Sequence, residues 1–186
     1  MKTEFEKMRN EEMYYFSDPE VENDILRAQD LCAKFSNLTL NSPDYRATLR
    51  ELIPGIPDSS CICPPFRCDH GNGIIMGENV FLNYNCVILD GAFVRFGDHV
   101  KVGPNCQFYT PQHPFDNLER REPKETSFPI EIGEDSWLGG GVIVLPGVKI
   151  GKRCIIGAGS VVTHDIPDDS MAVGNPARVI KSIKDR

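Results

Sequence analysis

The feature that most limits what this chain can fold into is a six-residue period running through its second half. From Ile132 the segments IGEDSW, LGGGVI, VLPGVK, IGKRCI, IGAGSV and VTHDIP set Ile132, Leu138, Val144, Ile150, Ile156 and Val162 at constant spacing, all branched aliphatics. Four positions further on, a second slot holds Ser136, Val142, Val148, Cys154, Ser160 and Ile166, and the position after each aliphatic is Gly in four of the six units. Laid upstream, the ruler fits MGENVF and LNYNCV, slips by two residues at Asp90-Gly91, and resumes with FGDHVK and VGPNCQ, so the repeat starts near Ile74. Six residues are too few for a helical repeat but suffice for a short strand and a corner, and stacked units of that kind make a parallel β-helix. The aliphatic slot then points into a narrow prism, where burial of each side chain contributes roughly 1.5–3 kcal/mol. Glycine suits the corners.

Between Phe108 and Ile132 the ruler fails. The stretch YTPQHPFDNLERREPKETSFPIE carries four prolines and a block of charges, and it reads as a loop thrown out of the coil over 110–129. Long loops without structure of their own are uncommon and tend to be functional. A lone loop histidine is ordinarily a solvated side chain, but His113 stands between Pro111 and Pro114, which restrict where it points. A neutral imidazole there is the natural base for taking a proton from an alcohol near neutral pH. His99 and His164 occupy corner-like positions and His70 precedes the first coil, so they are weaker candidates.

Residues 3 to 16 and 19 to 38 have helix-forming composition, and Ser17-Asp18-Pro19-Glu20 reads as a stop, an N-cap and a proline at the first helical position. A third short helix starts at Ser42-Pro43 and ends before Pro54-Gly55, and Pro57 to Pro65 is extended loop. Residues 1–58 thus form a helical cap over the open end of the prism, and 59–186 form the coil with its inserted loop and tail. Cys61, Cys63, Cys68 and His70 spell C-x-C-x4-C-x-H, whose single-residue spacing departs from the paired turns of a structural zinc site, so no metal is expected. Cys86, Cys106 and Cys154 fall in the second constrained slot and read as small core residues.

At 186 residues, with 40% apolar and 25% charged side chains, the chain is expected to fold as one unit of ordinary size. A net charge of −7 lacks the electrostatic footprint of a nucleic-acid binder. The N-terminal MKTEFEKMRNEEMYYF lacks the apolar stretch of a signal peptide, and no run reaches the eighteen apolar residues of a membrane span, so a cytoplasmic protein with free thiols is expected.

The run Ile156-Gly157-Ala158-Gly159-Ser160, with the strict hexad, resembles the hexapeptide-repeat acyltransferases. Several further motifs narrow the resemblance: the N-terminal helices, Pro65-Phe66-Arg67-Cys68-Asp69, Asn83-Tyr84-Asn85-Cys86, His113-Pro114, and Gly174-Asn175-Pro176-Ala177-Arg178. Over almost its whole length the chain is similar to the maltose/galactoside O-acetyltransferase family. That resemblance implies a mainly β fold, a left-handed parallel β-helix with an N-terminal α-helical cap and a short C-terminal helix. It implies transfer of the acetyl group of acetyl-coenzyme A onto a sugar hydroxyl, with His113 as general base and Asn83, Asp90 and Asp18 as acceptor contacts. It places coenzyme A along Trp137, Gly139, Gly140, Gly157, Ala158, Thr163, Arg178 and Lys181, and implies a homotrimer with active sites between subunits. Val87, Val94 and Ile143, apolar and outside the six-residue core set, are compatible with such assembly. Two departures stand out: His164 where relatives commonly have lysine, and His70 where tyrosine is usual.

Other functions are weighed against this one. The same coil and histidine would serve another small acceptor, such as serine, an amino sugar or a xenobiotic, and a non-catalytic scaffold would need neither His113 nor Trp137. A hydratase of the carbonic-anhydrase type needs three histidines at a subunit junction, which four scattered ones do not supply. Gly147-Val148-Lys149-Ile150-Gly151-Lys152-Arg153 lacks the spacing and the Ser or Thr of a phosphate loop.

Overall fold

Both constrained slots of the hexad turn inward. Ile132, Leu138, Val144, Ile150, Ile156 and Val162 are buried, and so are Ser136, Val142, Val148, Cys154, Ser160 and Ile166, which fill the prism between them. The structure is a computed structural model that describes residues 1–184. Its strands, mostly two to four residues long, stack in parallel on three faces. The first face runs from Cys61–Ile62 through Phe81–Leu82, Lys101–Val102, Trp137–Leu138 and Ile155–Ile156 to Ser170–Gly174. The second face joins Phe66–Cys68, Cys86–Leu89, Gln107–Tyr109, Ile143–Val144 and Val161–Val162, and the third joins Ile74–Met76, Val94–Phe96, Ile130–Ile132 and Lys149–Ile150.

Coiling begins earlier than the repeat near Ile74 suggests. Cys61–Ile62, inside the stretch read as extended loop, already pairs with Phe81–Leu82. Prolines and cysteines around it hide the period, yet Ile62 is fully buried in the common core. The slip at Asp90-Gly91 also shifts the phase of the next coil, so Val94 points into the core, whereas Val87 and Ile143 face outward and are partly exposed.

The glycine after each aliphatic is required by the approach of one coil to the next, not by a left-handed backbone. A Cβ on Gly133 would lie 2.5 Å from the Gly151 carbonyl carbon, and one on Gly139 would lie 2.7 Å from the Ala158 nitrogen. Left-handed corners fall elsewhere, on Asn79, Asn85, Asn105 and Gly141 among others, residue types that tolerate positive φ.

The cap differs from its expected form. Helix α1 spans only Glu4–Arg9, opened by a capping box between Thr3 and Glu6. The residues after it, read as more helix, turn through Glu11 at φ 59° and form a strand at Tyr14–Tyr15. Tertiary pairing overrides helical propensity there, because that strand joins the inserted loop. Helix α2 spans Pro19–Ser36 and α3 spans Tyr45–Leu52. Their buried residues, among them Leu31, Phe35, Leu49 and Leu52, share one continuous core with the first coils. The Tyr45 hydroxyl accepts from Ile62 N at 3.0 Å and donates to Ile62 O at 2.8 Å, satisfying the strand edge at the end of the prism.

Among the described residues, the segment expected to form a C-terminal helix forms strands instead. Ser170–Gly174 extends the first face, and Ala177–Ser182 folds back on it antiparallel. A strand edge with free hydrogen-bonding groups, entered through Gly174-Asn175-Pro176, favours a hairpin, and Val179-Ile180 suits a strand. The four residues weighed as a zinc set do not converge: Cys68 Sγ lies 3.7 Å from Cys32 Sγ on α2, and His70 Nδ1 lies 2.9 Å from Asp24 Oδ2. No helix among the described residues is long and apolar enough to cross a membrane.

Candidate active site

The corner from the second face to the third is where the chain departs from its hexad on three successive coils. The first coil carries His70-Gly71 there, the second Asp90-Gly91, and the third the whole inserted loop. The Asp90 carboxylate, fully buried, organises this edge. Its Oδ1 accepts from Asp69 N at 3.2 Å and His70 N at 2.9 Å, and its Oδ2 accepts from Gly73 N at 3.0 Å. Arg9 of α1 donates to the carbonyl oxygens of Asp90 and Gly91, tying the cap to the same corner. Gly91 leaves room for the loop to pack here, since a Cβ on it would lie 2.3 Å from Ser127 Oγ and 3.1 Å from the Tyr14 hydroxyl.

The loop has structure of its own. Pro111–Gln112 and Lys124–Ser127 pair antiparallel, Glu119–Arg121 forms a 3-10 turn, and Tyr14–Tyr15 adds a third strand with Tyr14 opposite Glu125. On this small sheet His113 is exposed, with its Nε2 3.8 Å from Glu125 Oε2. That distance suits an ion pair but exceeds a hydrogen bond. Phe16, whose N–H donates to Pro123 O at 3.0 Å, sets its ring at 76° to the imidazole with centroids 6.1 Å apart. Glu125, Phe16 and Tyr14 were not legible as site residues in the sequence.

Two family models match the chain, one described as a maltose acetyltransferase hexapeptide capping motif over residues 7–56 and one described as bacterial transferase hexapeptide over residues 129–164. A maltose O-acetyltransferase from Clostridium difficile 630 is 41% identical, with 97% of each chain covered and a TM-score of 0.94. A galactoside acetyltransferase solved with coenzyme A is 32% identical over 100% of this chain and 94% of that one, at a TM-score of 0.93. The chain belongs to the maltose/galactoside O-acetyltransferase family. A hexapeptide-repeat acetyltransferase from Vibrio cholerae, solved with acetyl-coenzyme A, is 38% identical over 99% of this chain and 100% of that chain, with a TM-score of 0.92.

In this acetyltransferase the residues singled out in the sequence fall at separate places. Asn83, Gly139, Gly140, Gly157 and Ala158 lie at the corner from the first face to the second, with Trp137 exposed on the first face beside them. His113 and Thr163 lie at the corner from the second face to the third, on different coils. Arg178 and Lys181 lie exposed on the C-terminal hairpin, where a cleft of ≈ 360 Å³ is lined by His164, Asp165, Ile166, Ala177, Arg178 and Val179. The second face, with Val87, Gln107, Ile143 and Val161 turned outward, separates the His113 corner from the Asn83 corner within one chain.

Two of the expected acceptor contacts are otherwise engaged. Asp18 is the N-cap of α2 and accepts from Glu20 N at 3.0 Å. Asp90 is occupied by three backbone donors and faces no solvent, so this geometry gives it the role of holding the corner. The carboxylate beside it that remains half-buried and open is Asp69. Burial, with Asp90 next to it, pushes the Asp69 carboxyl up to about 6. A raised carboxyl value means that the native state holds the proton more tightly than the unfolded chain. Stability is then full below the ordinary carboxylate value and is lost as pH rises through about 6. Asp69→Asn is therefore expected to stabilise the protein by about 1–2 kcal/mol at pH 7.5 and by less at pH 4.5. Denaturant unfolding at both pH values checks this, and an equal gain at the two would refute the burial account.

Proposed function

We propose that this acetyltransferase moves the acetyl group of acetyl-coenzyme A onto a hydroxyl of a sugar of the maltose, glucose or galactoside type, with His113 as general base. The observation that carries the reading is His113, held on a structured loop with its Nε2 towards the Glu125 carboxylate. The acceptor hydroxyl gives its proton to the imidazole as its oxygen bonds to the thioester carbonyl carbon. The resulting tetrahedral species expels the coenzyme A sulfur, which takes the proton from the imidazolium and leaves as the free thiol. Glu125 orients the ring and offsets the positive charge it acquires, the role a carboxylate plays beside a catalytic imidazole.

Coenzyme A lies along Trp137, Gly139, Gly140, Gly157, Ala158 and Thr163, with Arg178 and Lys181 supplying cations for its phosphates. The glycines let the pantetheine arm approach the backbone, and solved relatives with coenzyme A or acetyl-coenzyme A support this ligand. Asn83 and Asp69 serve as polar contacts to the acceptor. Because His113 and Asn83 stand on opposite sides of the second face, the site is completed by a neighbouring copy, in a homotrimer. No step needs a metal, and a cytoplasmic setting would supply acetyl-coenzyme A.

The test is thiol release from acetyl-coenzyme A with maltose, glucose and galactosides, serine and amino-sugar acceptors run alongside, and the acetylated product identified by mass spectrometry. Turnover with a neutral sugar supports the reading, and turnover confined to serine or an amine moves the substrate to another class. Trp137→Ala and Arg178→Ala are each expected to weaken coenzyme A binding about tenfold by calorimetry. Undiminished binding in both would remove the cofactor assignment.

A further inference from the structure

The N-terminal strand contributes a side chain that the acetyl-transfer steps do not use. Tyr14 is 1% exposed, and its hydroxyl donates to Glu125 Oε1 while lying 3.2 Å from Ser127 Oγ. Glu125 turns its other oxygen, Oε2, to His113 Nε2. The pairing of the strand Tyr14–Tyr15 with Lys124–Ser127, Tyr14 opposite Glu125, fixes this register, and Gly91 of the coil comes so near both Tyr14 and Ser127 that a Cβ on it would lie 3.1 Å from the phenol oxygen and 2.3 Å from Ser127 Oγ. The geometry points to Tyr14 as a positioning residue that acts on His113 through Glu125, so that the capping segment completes the catalytic pair. The inference rests on the reading of His113 as the base.

Burial first, and then the Glu125 charge, push the Tyr14 phenol well above its ordinary value, so the hydroxyl remains a donor throughout the working range. Without that donor, Glu125 Oε1 loses the bond that sets the carboxylate plane, and the Oε2 that faces the imidazole is free to turn away. A cap that served only to cover the prism would need an apolar residue here, and phenylalanine would do as well. Glu125 comes from the strand Lys124–Ser127 and Tyr14 from the strand Tyr14–Tyr15, and Arg120 of the 3-10 turn donates to Pro114 O at 3.1 Å and Phe115 O at 3.2 Å. Asp69 on the first coil is the carboxylate that Glu125 feels from the other side.

The experiment is a double-mutant cycle between Tyr14→Phe and Glu125→Gln on the full chain, read first by NMR titration of 15N-labelled histidines. The His113 signal is identified by its loss in His113→Ala. Glu125→Gln, which removes the carboxylate facing the ring, is expected to move the midpoint of the His113 ring downward, and Tyr14→Phe is expected to move it in the same direction by less. The double variant is expected to match Glu125→Gln alone, because two residues acting in series are not additive. Ser127→Ala, which keeps the phenol, gives a smaller effect in the same direction. In kinetics with acetyl-coenzyme A and maltose, Tyr14→Phe lowers kcat about tenfold and leaves the KM for acetyl-coenzyme A unchanged.

A His113 midpoint in Tyr14→Phe equal to that of the unaltered protein would overturn the proposal. So would an effect of Tyr14→Phe that persists in full when Glu125 is already Gln, since the phenol would then be acting through packing alone. The base itself is judged separately by the activity of His113→Ala, so failure of that reading and failure of this one give different patterns.

Discussion

His113→Ala is expected to lower kcat/KM for acetyl transfer by about 10²- to 10⁴-fold, the range over which a positioned general base acts. The imidazole stands exposed at the loop surface and donates no bond that holds a strand, so its loss should change stability by no more than about 0.5 kcal/mol. Coenzyme A binding should also survive, because the imidazole is not among the groups assigned to hold the cofactor, which are Trp137, the corner of Gly139 and Ala158, Thr163, Arg178 and Lys181. An intact fold and intact cofactor binding with lost turnover would therefore locate the defect in proton removal. Glu125→Gln should cost less than loss of the ring, since the base remains and only its partner changes. Activity of His113→Ala within threefold of the unaltered protein would exclude this histidine as the base and return the loop to a structural role.

The second large effect is expected from Asp90→Ala. Three backbone donors, on Asp69, His70 and Gly73, terminate on this one buried carboxylate. Each buried N–H left without a partner costs about 1–3 kcal/mol, and water entering the space recovers part of it. A net loss of about 3–5 kcal/mol is expected, read from the denaturant midpoint at a fixed protein concentration with an unchanged slope. Asp90→Asn should fall between, because its remaining oxygen still serves Asp69 and His70 while its amide opposes Gly73 N. The loss should extend to activity, since the turn that carries Asp69 would no longer be fixed. A destabilisation below about 1 kcal/mol would show that the corner is held by other contacts, such as Arg9 on the carbonyls of Asp90 and Gly91.

The legible part of the fold was the part in which each residue's environment recurs. Ile132, Leu138, Val144, Ile150, Ile156 and Val162 repeat because successive coils present the same inward position, and the period survives in one dimension. Gly133 and Gly139 were readable as corner residues, although the reason lies in the backbone of the next coil rather than in their own φ. The repeat was lost around Cys61–Ile62, where cysteines and prolines take slots that aliphatics hold elsewhere. His113 was legible because it stood in an interruption of a strict pattern.

What the sequence determined by itself was a prism of stacked short strands, its apolar lining, the place where a loop leaves it, and the histidine on that loop. Only the tertiary structure decided that Tyr14–Tyr15 is a strand rather than a continuation of α1, that Ser170–Gly174 and Ala177–Ser182 form a hairpin, and that Tyr14, Glu125 and His113 meet. The physical reason is common to all three. A short strand is stable only where another edge offers hydrogen bonds, and neither the edge of Lys124–Ser127 nor that of Ser170–Gly174 exists until the coil beneath it has formed.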